Sequence, residues 1–339
     1  MELTEIMELT GILRALNFAH SPSGDEGDIS ALIYTMARPW ADEITSDVMG
    51  NLVAHKKGNG PKVMFAAHMD SIGFIVTHIE KEGFLRVGKL GGISPKDVLN
   101  TRVCFKNGVR GVLVAEEKTE DKVKLEDCYI DIGARDEEQA RTLVQVGDTA
   151  VYDTAVYNTV AEVNGRVISP YLDGRIACAV LLKAMEQVTA RENDLYFVFT
   201  VQEEVGTRGA KTAAWTIDPD YAIAVDVTDV DDTPGSAKYG TCRLGRGAAV
   251  KVMDSSVICH PEVVKALEQC AQDKGIIVQR DIIRAGGTDA GPIHVSRTGV
   301  RTGGISIPCR YIHTPAEMAD LADVQSCVDL AVAFAQAKL

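Results

Sequence analysis

Positive charge is scarce in this chain: 35 Lys and Arg stand against 48 Asp and Glu, a formal net charge of −13. Phosphate backbones and anionic lipid both attract an excess of Lys and Arg, so neither nucleic acid nor a membrane is expected as a partner. Long apolar runs are missing as well, none approaching the roughly 20 residues of a membrane span. The N-terminal MELTEIMELTGILRALNF has acidic residues where a signal peptide needs a basic n-region. A cytoplasmic protein is the expectation. There is no CxxC pair among the eight cysteines, at 104, 128, 178, 242, 259, 270, 309 and 327, and most lie in apolar stretches, as buried reduced thiols do. No GxSxG elbow is present, which disfavours serine hydrolase chemistry. Internal repeats, heptads and low-complexity tracts are also absent.

What is present suffices for a large core: 339 residues, 46% hydrophobic. A prior of roughly 100 to 200 residues per domain suggests about two domains. The first 40 residues give two helical patterns separated by HSPSGDEGD, a segment read as surface packing that ends one helix and caps the next. From Ile72 to Thr159 short β-like runs alternate with Gly-containing turns such as LGGISP, and CFKNGVRGVLV carries an Asn-Gly hairpin signal. From SPYLDGRIACAVLLKAMEQVTA onward helices alternate with continuous apolar strands, the pattern of a mainly parallel sheet covered on both faces. The expected organisation is α/β, with residues 1–70 and 160–339 forming one discontinuous domain and residues 71–159 a β-rich insertion.

Six side chains, His68, Asp173, Glu203, Glu204, Asp226 and His313, stand mostly where strand-like runs stop: VMFAAHMD, LYFVFTVQEE, AIAVDVT and GGISIPCRYIH. In open α/β sheets ligands bind beyond the carboxyl ends of the strands. Imidazole and carboxylate suit first-row divalent ions, and a paired site can share one carboxylate while another glutamate acts as base. Each motif also has a plain structural reading. His68 can be a satisfied core histidine with Asp70 in a turn, or a ligand whose other ring nitrogen donates to the Asp70 carboxylate. Glu203 and Glu204 can be a solvated loop after a buried strand, Asp226 a strand-end turn, Asp173 a helix N-cap and His313 a loop residue. GGTDAG at 286–291 can present backbone amides and Asp289 to a substrate or merely cap a turn. Arg243 and Arg246 can attract an acidic substrate or form a solvated basic loop. The coincidence of the candidates at one end of several strands is what favours a site.

AAHMDSIGF, LDGRIACAVLL, QEEVGTRGA, AVDVT and GGTDAGPIH followed by ISIPCRYIHTPAE, in this order and spacing, resemble the dinuclear metallo-aminopeptidases that include glutamyl, deblocking and tetrahedral (TET) aminopeptidases. The resemblance implies a phosphorylase- or hydrolase-like three-layer sandwich with an inserted PDZ-like β domain used for dimerisation. It implies two divalent ions per chain, zinc or cobalt: Asp173 bridges them, His68 and Asp226 complete one site, and Glu204 and His313 complete the other. Glu203 is then the general base, and Asp70 orients His68. Where the family usually shows Asp-Asp-Arg or Asp-Asn-Arg and then Gly-Cys, this chain has Asp173-Gly174-Arg175 and Ala177-Cys178, and Ser71 stands where an acidic residue is common.

The leading expectation is a cytoplasmic aminopeptidase acting on peptides with a free N-terminus. A non-catalytic or weakly active oligomeric homologue, motivated by the departures around Asp173, and a carboxylate-pair glycosidase are the alternatives. A homo-oligomer built from dimers, with a dodecamer as the larger form, is expected because a small β insertion leaves edges and apolar faces that need cover.

Overall fold

The computed structural model describes residues 8–117, 123–157, 160–190, 192–236 and 241–339. The four apolar runs form adjacent parallel strands: Asp194–Thr200 beside Lys62–His68, then Tyr221–Asp229, then Arg301–Arg310. Both faces of these strands are covered, and their alternation sorts the core. Val63, Phe65 and Ala67 join the large cluster that also contains helices Leu9–Phe18, Leu172–Gln187 and Leu321–Ala335. Met64, Ala66 and Val198 pack on the opposite side with Ala210, Ala213 and Ala214 of helix Arg208–Ile217.

The eleven-stranded sheet is mixed rather than mainly parallel. Glu43–Ser46 and Leu52–Lys56 flank it antiparallel on one side, and Glu317–Asp320, Arg166–Ser169 and Ala161–Val163 on the other. These flanking strands are three to five residues long, too short for apolar periodicity to announce their direction. Ala248–Met253 pairs antiparallel with Arg301–Arg310 and carries Val278–Ile282 parallel on its outer side.

Between Gly73 and Tyr152 the chain forms a closed antiparallel barrel, in the order Gly73–Ile79, Leu85–Leu90, Cys128–Asp131, Arg110–Ala115, Arg102–Phe105 and Thr149–Tyr152. Phe74, Leu85, Val103, Phe105, Leu113 and Ile130 fill it as a core of its own. The Asn107-Gly108 pair makes the expected hairpin, with Gly108 at φ 88°. Closure leaves no free strand edge, so the edge argument for assembly falls away. The expected domain boundary at Thr159 lies outside the described residues. Among the described residues no helix is long and apolar enough to cross a membrane. All eight cysteines are free thiols, and six of them are buried.

Candidate metal centre

Strand register brings the first two ligand candidates together. Ala224 lies opposite Ala66 in the parallel pairing, so two residues further on the same faces carry Asp226 and His68. His68 Nε2 lies 3.5 Å from Asp226 Oδ1 and 2.9 Å from Asp173 Oδ1. Asp173 arrives on the first turn of Leu172–Gln187, at φ −71° and ψ 114°, outside helical geometry. Its carboxylate does not cap that helix but reaches both histidines. Asp173 Oδ2 is 3.1 Å from His313 Nε2, which is also 3.1 Å from Glu204 Oε2. Two groups result, His68–Asp173–Asp226 and Asp173–Glu204–His313, with the ligand atoms of each within 4.8 Å of one another.

Both imidazoles have Nδ1 fixed by a backbone carbonyl. His68 Nδ1 lies 3.2 Å from the Asp70 carbonyl and His313 Nδ1 lies 2.9 Å from the Gly92 carbonyl. A carbonyl only accepts, so Nδ1 carries the hydrogen in each ring and Nε2 is the atom left for a metal. The donor set, two Nε2 and three carboxylates with one shared, fits a pair of divalent ions. Glu204 Oε1 is buried without a hydrogen-bond partner, as an oxygen reserved for a cation is.

The electrostatics agree. Burial opposes charge on both imidazoles, yet the hydrogen-bonded carboxylates outweigh it, pushing His313 up to about 12 and His68 well above its ordinary value. Burial raises Asp173 too, but His313 and His68 more than reverse this and hold its carboxyl low. Glu204 is pushed up to about 7, by burial first and then by the Asp173 charge. Burial also raises Asp226 and holds Glu203 well above the usual carboxylate range. This is the electrostatic signature of carboxylates packed together for a cation.

Asp70 does more than the sequence suggested. Its carboxylate stands 3.5 Å from His68 Nδ1, farther than its own carbonyl. Its oxygens instead accept from the backbone N–H of Glu203 at 3.0 Å and of Glu204 at 3.2 Å. Ser23 Oγ donates to Asp70 at 2.6 Å, and Glu26 accepts from the Gln202 N–H at 3.1 Å. The segment read as surface packing therefore braces the glutamate turn from below. Fully buried Arg175 fastens that segment, donating to the Asn17 and Ala19 carbonyls and to Ser21 Oγ.

Sequence reasoning missed Glu317. This buried residue accepts from the backbone N–H of Asp173 at 3.0 Å and of His313 at 2.8 Å, and so ties two ligands from distant segments. Burial pushes its carboxyl up to about 8. Its position four residues after His313, in HTPAE, is the only sequence signal. The departures from the family pattern also find a place. A Cβ added to Gly174 would come within 2.3 Å of His68 Nε2, so the ring packs directly on that backbone. Ala177 is buried in the main core, and Ser71 Oγ donates to the Ser21 carbonyl, while Cys178, which keeps the family's residue, donates from Sγ to the His68 carbonyl.

These groups open into a cleft of about 530 Å³. Glu203 lines it and belongs to neither ligand group. Gly286, Gly287 and Thr288 form part of the wall, whereas Asp289 lies buried behind it at the N-cap of Ala290–His294, its side chain accepting from Thr200 Oγ1 at 2.5 Å instead of from the helix, and Thr288 Oγ1 accepts from the Ala290 N–H at 3.4 Å. Neither Arg243 nor Arg246 lines the cleft and both are exposed, in keeping with the solvated-loop reading of the two.

A family model described as M42 glutamyl aminopeptidase matches residues 50–330. The chain is 35% identical over 319 residues to a lysyl aminopeptidase of Pyrococcus furiosus, covering 90% of each chain. Its structure is similar to that of an aminopeptidase from the archaeon Desulfurococcus kamchatkensis, with a TM-score of 0.92, 39% identity, and 97% and 94% of the two chains covered. It is likewise similar to PhTET1-12s, described as a dodecamer, with a TM-score of 0.87, 30% identity, and 97% and 99% covered.

Proposed function

The chain belongs to the M42 glutamyl aminopeptidase family, whose members hydrolyse peptide bonds, and on that premise we propose how its residues divide the work. His68 and Asp226 would hold one divalent ion and Glu204 and His313 a second, with Asp173 shared between them. The observation that carries this reading is Asp173 standing between two Nε2 atoms whose rings are both fixed by backbone carbonyls. Zinc and cobalt suit such donors. Two bound ions supply an acidified water and polarise a carbonyl oxygen.

Glu203 is the general base. It faces the cleft, is free of the ligand groups, and has a carboxyl raised by burial, so it can take a proton from the attacking water and return it to the leaving amine. Asp70 is a positioning residue, fixing the backbone of Glu203 and Glu204. The acidic lining suits the α-ammonium group of an unblocked chain end, so the substrates are peptides with a free N-terminus. A glycosidase needs two carboxyls about 5 to 9.5 Å apart and has no use for two histidines converging on them. The non-catalytic reading was motivated by the departures around Asp173; against it stands the convergence of His68, Asp173, Glu204, Asp226 and His313 into two ligand groups despite those departures.

For assembly, the resemblance to a dodecameric relative supports a homo-oligomer built from dimers, with residues 71–159 acting as a PDZ-like contact unit beside a three-layer catalytic unit of residues 1–70 and 160–339. Leu143 and Val146, 37% and 53% exposed beside the barrel, are apolar surface available for such a contact. Eight free thiols suit a reducing, cytoplasmic compartment.

Glu203→Gln tests the chemistry. Turnover of a free peptide should fall about 10² to 10⁴-fold with metal content unchanged by elemental analysis. Wild-type turnover in that variant would remove Glu203 from the mechanism, and an N-acetylated peptide cleaved as fast as its free counterpart would remove the aminopeptidase reading.

A further inference from the structure

We infer that the cleft selects peptides whose first residue carries a cationic side chain, and that Asp229 is the residue that recognises it. The inference rests on reading the cleft as the peptidase site. Asp229 ends the strand Tyr221–Asp229 that also carries Asp226, and both line the cleft. Three residues of extended strand separate them, roughly 10 Å along the backbone. A substrate whose reacting end lies at the metal centre can bridge such a gap only with a long side chain.

The other cleft carboxylates already have tasks. Asp173, Glu204 and Asp226 are in the ligand groups, and Glu203 stands beside them as base. Two divalent ions would balance the four negative charges of that set, leaving Asp229 uncompensated. Among the described residues Asp229 has no hydrogen bond or ion pair, and it is exposed to solvent. The largest charge effects on it come from Asp173, His313, Asp281 and Asp231, of which only His313 can be cationic. His313 is neutral when it serves as a metal ligand. No Lys or Arg lines the cleft among the described residues.

The remaining wall suits the rest of a lysine or arginine. Val227, Ile283, Ala285 and Ile312 are apolar, and Gly286 and Gly287 add no side chain. Long cationic residues lay their methylene stems along such surface while the charged end finds water or a carboxylate.

The test uses the full-length, metal-loaded protein and three substrates, lysyl-, leucyl- and glutamyl-p-nitroanilide. The wild type should favour lysyl over glutamyl, and Asp229→Asn should lower kcat/KM for the lysyl substrate about fivefold while moving the leucyl value less than about twofold. Asp229→Lys should shift the ratio further toward glutamyl. Equal losses on lysyl and leucyl substrates would overturn the inference, because they would place Asp229 on the α-amine or in the fold. A lysyl-to-glutamyl ratio unmoved in both variants would overturn it as well. Calorimetric titration with L-lysinamide and L-leucinamide reads the same preference without turnover. If the wild type cleaves none of the substrates, the peptidase reading fails, and the difference between the two amides, present in the wild type and lost in Asp229→Asn, still decides the role of Asp229.

Discussion

The two halves of the proposed centre share Asp173 but are held by different kinds of structure. In the inner half, His68 and Asp226 come from neighbouring parallel strands, and the His68 side chain is 1% exposed. In the outer half, Glu204 and His313 sit in turns after their strands, His313 at φ 66°, and its side chain is 28% exposed. Register fixes the first pair, since a slip of either strand by one residue would turn its side chain to the opposite face. The second pair depends on borrowed contacts: the Gly92 carbonyl from the loop after barrel strand Leu85–Leu90, the Glu317 carboxylate, and Asp70 beneath the glutamate turn. The inner half is thus a product of the sheet, and the outer half is a meeting of loops with the barrel.

The largest effect should come from the atom group both halves use. Asp173→Ala should lose both ions and peptidase activity together, measured as metal per chain after dialysis. Two metals retained would show that the halves do not depend on a common ligand. A more selective break is Gly92→Ala. An added Cβ there would stand 2.9 Å from Cε1 and Nδ1 of His313, forcing that ring off its carbonyl. Loss of such an orienting contact typically costs 10 to 100-fold in metal affinity, and the lower figure, about tenfold, is expected here on one ion only. Equal weakening of both ions would mean that the barrel loop supports the whole centre rather than its outer half.

The same contrast explains what could be read from the sequence. His68, Glu204 and Asp226 were visible because each ends an apolar run, and strand ends are where an open sheet gathers its ligands. The Asn107-Gly108 hairpin was visible because its turn demands a positive φ. Glu317, Ser23 and Glu26 were not, because they act by accepting from or bracing backbone amides far away in sequence. The Gly92 carbonyl left no side-chain trace at all. Barrel closure and the antiparallel flanks are settled by pairings between short strands, which local pattern does not encode. For Asp289 the sequence left two readings open, beside a substrate or in a turn, and only the fold reveals Thr200 drawing it behind the wall.

The smallest and most discriminating effect is the response to pH. Glu204, in the outer half, is pushed from its ordinary 4.5 up to about 7, mainly by burial. Between those values the folded, metal-free chain keeps a proton that the unfolded chain has released. This group's contribution to metal-free stability is therefore full below about pH 4.5 and lost as pH rises through about 7. Both raised histidines have the same sign, each favouring the metal-free fold while protonated and losing that contribution as pH passes the raised value. Metal binding reverses the demand, because it needs the ionised carboxylate and the neutral imidazole. Lowering the pH from 8 to 6 should therefore weaken the outer ion, and more steeply once Glu204 as well as His313 holds a proton, each proton displaced on binding adding about tenfold per pH unit. The inner ion, whose site needs Asp226 ionised and His68 neutral, should decline in a separate step. Equilibrium dialysis against limiting zinc at several pH values resolves the two steps. A parallel decline of both ions would mean that Asp173 couples them too tightly for inner and outer halves to titrate apart.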